Sequence, residues 1–213
     1  MNSKTSRRNF LKYTSLISTS LIVGFKFNSP NLIIAKETSE LDPNLYVIIS
    51  PNNTITFKLP NIELGQGTHT GQAIIIAEEL EVNLDKVNVI NAPPDPRYGR
   101  LNTGGSASIR NNFRKLLKVG AATKEILLKA ASSKWNVPVD ECFASNGTVI
   151  HSKSNRSFTF GELANKATKL EIPSNPKLKN NKEYRLIGKS INRIDISEKV
   201  NGTSIYGMAV SYT

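Results

Sequence analysis

One cysteine, Cys142, and two histidines, His69 and His151, are all that the chain offers as thiolate or imidazole metal ligands. A single thiol forms no intrachain disulfide and no Cys-based zinc or iron–sulfur site, and two imidazoles are too few for a histidine-based metal cluster. Cys142 between Glu141 and Phe143 reads as a small packed side chain. Aromatic residues are scarce at 7% and are not interleaved with the basic ones, so the base-stacking platform of a nucleic-acid binder is missing despite a net charge of +11. Part of that charge is local. Lys4, Arg7, Arg8, Lys12 and Lys26 lie within residues 1–29 without one acid, and setting these five aside takes the balance from +11 to +6. A long apolar run is absent too: the run at 73–82 carries Glu78, Glu79 and Glu81 and is too short to span a bilayer.

What is present is enough for a core, with 213 residues of which 38% are apolar. The chain opens on Ser6-Arg7-Arg8-Asn9-Phe10-Leu11-Lys12 and then a moderately apolar, hydroxyl-rich stretch. Two arginines, an aromatic and a leucine ahead of such a stretch match a twin-arginine export signal over residues 1–29, which predicts a periplasmic location. An Ala-x-Ala cleavage site is missing, so retention as a membrane anchor stays open. A loose linker is expected over 30–44.

The folded unit is expected over 45–172. Strands at 45–50 and 54–59 flank the turn Pro51-Asn52-Asn53, which makes a hairpin. A glycine loop, Gly65-Gln66-Gly67, leads into a helix at about 68–82, then a strand at 85–90 and a proline-rich loop. A second loop, Thr103-Gly104-Gly105-Ser106-Ala107-Ser108, opens a helix at about 106–134. On that helix Phe113, Leu116, Leu117, Gly120, Leu127 and Ala131 share one arc, and Arg114, Lys115, Lys118 and Lys129 share the other. The basic arc reads as a solvated face, with docking to an acidic partner as the alternative; Arg110 falls at the border. A hairpin across Asn146-Gly147 and a short helix from 158 to 170 follow. His151 reads as a surface residue of that hairpin.

A glycine pair before a helix is by itself more often a tight turn than a ligand site. Two such openings in one short domain are more telling. Each presents backbone N–H groups where the helix dipole favours negative charge and where glycine lets a ligand come close. Together with "FTFGELANKA" and "YRLIGKSINRIDISEKVNGTSIYG", the two loops make the chain resemble the large molybdopterin-binding subunits of the xanthine dehydrogenase and aldehyde oxidase family.

The resemblance implies a mixed α/β (α+β) fold, with a molybdopterin-binding-domain-like sheet and packed helices, truncated before the family's remaining domains. It implies molybdopterin as cofactor, without specifying its nucleotide form, and cofactor contacts from Gly65, Gln66, Gly67, Thr68, Gly105, Ser106, Ala107 and Ser108. Residues 173–183 become a linker, and 184–213 the incomplete start of a hammerhead-like domain that is expected to pack poorly. Family members oxidise aldehydes or hydroxylate a carbon beside nitrogen with a glutamate base, which in family sequence lies beyond Thr213. No catalytic residue is assigned. Glu63 is the one acid beside the first loop, and bonding to loop amides is its simpler reading. His69 is a first-turn residue that could touch the ligand. Partners implied are the remaining domains on another chain, with a 2Fe-2S small subunit or a cytochrome. The contrasting reading is a non-catalytic binding protein or the remnant of a truncated gene.

Overall fold

The computed structural model describes residues 46–99 and 101–205, and the backbone of 21–23. The twin-arginine motif and the 30–44 linker lie outside these residues. One sheet runs in the order β1 (Leu21–Val23), β2 (Val47–Ile49), β3 (Ile55–Leu59), β4 (Val87–Asn91). The first three strands are antiparallel and β4 is parallel to β3. That parallel pair needs a crossover, which helix α1 (Thr68–Leu80) supplies. β1 falls within the stretch read as the export signal; its pairing of Leu21 with Ile49 was not part of that reading.

Helix α2 (Ser108–Trp135) packs along α1. Contact is close because Gly120 has no side chain: a Cβ there would stand 2.5 Å from the Ile76 carbonyl oxygen. Ile76, Leu80, Leu116, Ile126 and Leu127 meet Ile49, Ile55, Phe57 and Leu59 of the sheet in one buried cluster. A second antiparallel sheet, β5 (Cys142–Ser145), β6 (Thr148–His151) and β7 (Ser157–Thr159), leads into α3 (Phe160–Ala167). Thr159 and Glu162 form a reciprocal capping box at that helix start. Its next residue, Gly161, meets the first hairpin: its amide donates to Asn53 Oδ1 at 3.0 Å, and a Cβ would stand 2.6 Å from the Pro51 carbonyl oxygen.

The mixed α/β architecture, both hairpins and both long helices are as expected, and β7 was missed. Three expectations are corrected. His151 is buried, because β6 alternates and turns Val149 and His151 inward. Its Nε2 meets Glu141 Oε2 at 2.9 Å and its Nδ1 meets Ser154 Oγ at 2.7 Å. Lys115 leaves the solvated arc: its Nζ donates to the Tyr98 carbonyl oxygen at 2.6 Å and stands 4.8 Å over the Tyr46 ring.

The third correction concerns the C-terminal stretch, which does not pack poorly over 177–195. Fully buried Glu78 accepts hydrogen bonds from the amides of Arg185, Leu186 and Ile187 and from Lys179 Nζ. Fully buried Glu79 accepts from the Lys179 amide and lies 3.8 Å from Lys124 Nζ. Where an opening strand was expected, the chain is a strap of turns ending in the one-turn helix α4 (Ile196–Val200).

Candidate functional site

The site grows from Asn61, two residues past β3. Its side chain is buried, and Oδ1 accepts from Gln72 Nε2 on α1 at 2.7 Å and from Asn112 Nδ2 on α2 at 2.9 Å. Its Nδ2 donates to the Asn102 carbonyl oxygen at 3.0 Å. Beside it the Ile62 amide donates to Thr103 Oγ1 at 2.9 Å. Gln72 and Asn112 also both donate to the Ser108 carbonyl oxygen. This junction of three carboxamides places the two glycine loops side by side.

Sequence reasoning missed the junction. A signal was there: Gln72 and Asn112 are polar residues at buried helix positions, where a carboxamide needs partners. Gln72 Oε1 is buried and has no hydrogen-bond partner among the described residues, an orphaned acceptor within the junction.

In the first loop the amides are taken up by the chain itself. Glu63 Oε1 accepts from the amides of Gly65 at 2.8 Å and Gly67 at 2.9 Å, and Oε2 accepts from His69 at 3.1 Å. Burial alone would raise the Glu63 carboxyl, but the amides of Gly67, His69 and Gly65, helped by Arg193, outweigh it and hold the carboxyl below its usual value. The anion favoured at this helix start is therefore an internal one. The Gln66 side chain closes its own loop, accepting from the Leu64 amide and donating to the Ile62 carbonyl oxygen. Thr68 is buried at the start of α1, and His69 Nε2 lies 2.8 Å from Asn91 Oδ1. The strap reaches this loop as well: Arg193 Nη1 donates to the Gly65 carbonyl oxygen at 2.6 Å, and the Ile194 amide to Thr70 Oγ1 at 3.1 Å.

The second loop is open. Gly105 and Ser106 have φ of 64° and 51°, and Ala107 then turns right-handed ahead of α2, which has no side-chain cap. A left-handed residue followed by a right-handed one makes a concave nest of backbone N–H groups. Among the described residues no hydrogen bond takes up the amides of Gly105 and Ser106. Ser106 holds a backbone conformation that side-chain-bearing residues rarely adopt.

A pterin needs a concave surface that the backbone can approach. A Cβ added at Gly65, Gly67, Gly104 or Gly105 would meet nothing within 4 Å, so space stands open over both loops. The nearby pocket measures about 180 Å³ and is lined by Asn61, Tyr98, Asn102, Ala107, Asn111 and Lys115, among others. Whole small-molecule sites run from about 300 to 1,000 Å³. The residues present fit one wall of a cofactor site.

Comparison with known proteins identifies the family. A family model described as a molybdopterin cofactor-binding domain matches residues 13–212. The chain is 30% identical to isoquinoline 1-oxidoreductase subunit beta of Brevundimonas diminuta, over 97% of this chain and 32% of that protein. It is 32% identical to the membrane-bound aldehyde dehydrogenase [pyrroloquinoline-quinone] of Gluconacetobacter polyoxogenes, over 95% of this chain and 27% of that one. The chain thus spans about a third or less of the length of these curated relatives. Among solved structures, quinoline 2-oxidoreductase from Pseudomonas putida 86 aligns with 56% of this chain and 15% of its own, at 19% identity and a TM-score of 0.46. The chain belongs to the molybdopterin cofactor-binding domain family of the xanthine dehydrogenase group, and its cofactor is molybdopterin.

Proposed function

We propose that this chain is the cofactor-binding part of an exported molybdenum hydroxylase-type oxidoreductase that acts on an aldehyde or an N-heterocycle. The observation that carries the reading is the Asn61, Gln72 and Asn112 junction, which holds two glycine loops at one edge with open space above them. When bound, the cofactor supplies the oxidation chemistry. The chain's own residues bind and orient it. Gly105, Ser106, Ala107 and Ser108 offer backbone amides at the start of α2. Gly65, Gln66, Gly67 and Thr68 form the facing lip, kept in shape by Glu63 and contributing surface in place of free amides.

Glu63 serves as an anchor and not as the base. Its carboxylate is ionised and bonded to three amides, and a base so held would have to break those bonds to take a proton. The small pocket supports completion of the site by further domains of the kind that make up the rest of the relatives' length. A 2Fe-2S small subunit or a cytochrome would carry electrons away. The Arg7-Arg8 motif supports a periplasmic location, with the uncleaved signal as a means of membrane attachment.

The test is molybdenum and pterin content after purification, with residues 1–213 alone and together with the domains that make up the rest of the relatives' length. Weak retention alone and tight retention together are expected, and Gly105→Val should lower both. Absence of pterin from both samples would sink the reading, as would a Gly105→Val variant that retains cofactor like the wild type.

A further inference from the structure

Gly65 lies exposed on the first glycine loop with φ of 101°, and a Cβ there would meet nothing within 4 Å, so no side-chain packing holds it. A glycine so placed keeps its turn only if polar contacts fix the peptide groups on either side of it. Its amide donates to Glu63 Oε1 at 2.8 Å, and its carbonyl oxygen accepts from Arg193 Nη1 at 2.6 Å. Arg193 Nη2 also stands 3.4 Å from Glu63 Oε1, the oxygen that accepts from Gly67 as well. One guanidinium, 128 positions along the chain from Gly65, thus holds the carbonyl side of that glycine and the carboxylate that holds its amide side.

The guanidinium is itself oriented. Asp195 accepts from Nε at 2.9 Å and from Nη2 at 2.8 Å in a bidentate pair, and Lys199 of α4 lies 2.5 Å from the same carboxylate. Nη1 is the nitrogen left for the loop. The strap has other fastenings along α1: Lys179 and the amides of residues 185–187 bond to buried Glu78, and the Ile194 amide bonds to Thr70. What Arg193 adds to them falls on the loop.

We propose that Arg193 is a positioning residue for the cofactor lip: its guanidinium, oriented by Asp195, fixes the Gly65 peptide and the Glu63 carboxylate, and so ties the shape of the first glycine loop to the strap. Resting on the proposed function, that loop is the lip formed by Gly65, Gln66, Gly67 and Thr68. An ammonium would match the charge of Glu63 but not this geometry, because the planar fork meets Asp195 with one edge while its remaining nitrogen meets Gly65.

The test is amide hydrogen exchange of the full chain, read at Gly65, Gly67 and His69, with Arg185, Leu186 and Ile187 as the internal reference. Arg193→Gln should speed exchange at the three loop amides about tenfold or more, the scale of one charge-assisted contact, and leave the reference amides unchanged. Arg193→Lys should not restore the protection. The Glu63 carboxyl, raised by burial but held low on balance by the loop amides and Arg193, gives a second readout by NMR titration. Arg193→Gln should move it up, and Arg193→Lys, which keeps the charge, should bring it back down. Circular dichroism checks that each variant is folded. Unchanged loop exchange in Arg193→Gln overturns the proposal, and so does equal acceleration at 185–187, which would make Arg193 an anchor of the whole strap. Full protection in Arg193→Lys overturns the role given to the fork. Pterin content after purification should fall several-fold in Arg193→Gln. Wild-type retention in a variant whose loop has loosened overturns the link to the cofactor and leaves the proposed function standing. Pterin missing from the wild type too defeats the proposed function, and the exchange rates still decide whether Arg193 fixes the loop.

Discussion

Gln72 and Asn112 stand on different helices and donate to the same atom, Oδ1 of Asn61, at 2.7 and 2.9 Å. One carboxamide oxygen thereby couples the helix that follows the first glycine loop to the helix that follows the second. The arrangement sets the separation of the loops with three residues that carry no charge, and any cofactor spanning both loops depends on it.

Asn61→Ala removes that shared acceptor and leaves Gln72 Nε2 and Asn112 Nδ2 with the Ser108 carbonyl oxygen as their remaining acceptor among the described residues. The loss should be about 1–3 kcal/mol of folding stability, the scale of removing two buried hydrogen bonds. Urea unfolding with an unchanged m-value measures it. A change below about 0.5 kcal/mol, the scale of an ordinary surface substitution, would mean the junction does not hold the loops together.

The strap gives a pH dependence with a definite sign. At Glu78 burial acts to raise the carboxyl, but Lys179 and the amides of Arg185, Leu186 and Ile187 win and hold it below its ordinary 4.5. Its stabilisation is therefore complete above that pH and is lost as pH falls through the lower folded value. At Glu79 burial wins over the Lys179 amide and the Lys124 and Lys179 charges, and the carboxyl is raised. Its contribution is present below the ordinary value and is lost as pH rises through the folded one. Near neutral pH Glu78→Gln should thus cost at least about 2 kcal/mol, since charge-assisted bonds are lost, and Glu79→Gln clearly less. Glu78→Gln should also flatten the acid limb of a stability-versus-pH curve. Equal losses at neutral pH, or an unchanged acid limb, would refute the assignment.

How much of this was legible in the sequence depends on how local the cause is. Asn146-Gly147 announces its hairpin because the turn chemistry lies in two adjacent residues. The helix that follows each glycine loop is announced by apolar periodicity. The carboxamide junction was not legible, because its partners stand 11 and 51 positions from Asn61. Glu78 and Glu79 looked like acids that break an apolar run; their burial is explained only by Lys179 and the 185–187 amides, about a hundred residues away. His151 was misread for a related reason. Which face of its strand turns inward depends on tertiary packing, and the Trp135 ring centroid lies 6.0 Å away on the preceding helix. Glu63 was the favourable case, since bonding to loop amides is a contact within six residues.

Gly67→Val should reduce cofactor retention more than His69→Ala. Gly67 holds φ of 81°, and open space lies over its missing Cβ, so valine both strains the loop and fills the lip. His69 contacts Asn91, and its loss leaves the lip intact. Pterin fluorescence of the released cofactor provides the comparison, with unfolding curves showing that both variants fold. Retention falling more in His69→Ala would move the contact from the glycine loop to the imidazole.

Export gives the last test, and it concerns residues outside the described structure. If Arg7 and Arg8 are the receptor-read pair of a twin-arginine signal, their charge alone is not enough, because a guanidinium presents a planar fork of donors that an ammonium lacks. Arg7→Lys combined with Arg8→Lys keeps the net charge of +11 unchanged and should still leave the protein in the cytoplasm. Fractionation of cells expressing the wild type and the double variant measures this, with a periplasmic and a cytoplasmic marker enzyme followed in parallel. A charge-based leader would tolerate the exchange. Undiminished periplasmic yield from the double variant would therefore remove the twin-arginine reading and the periplasmic location that rests on it, while leaving the cofactor-binding family of the chain untouched.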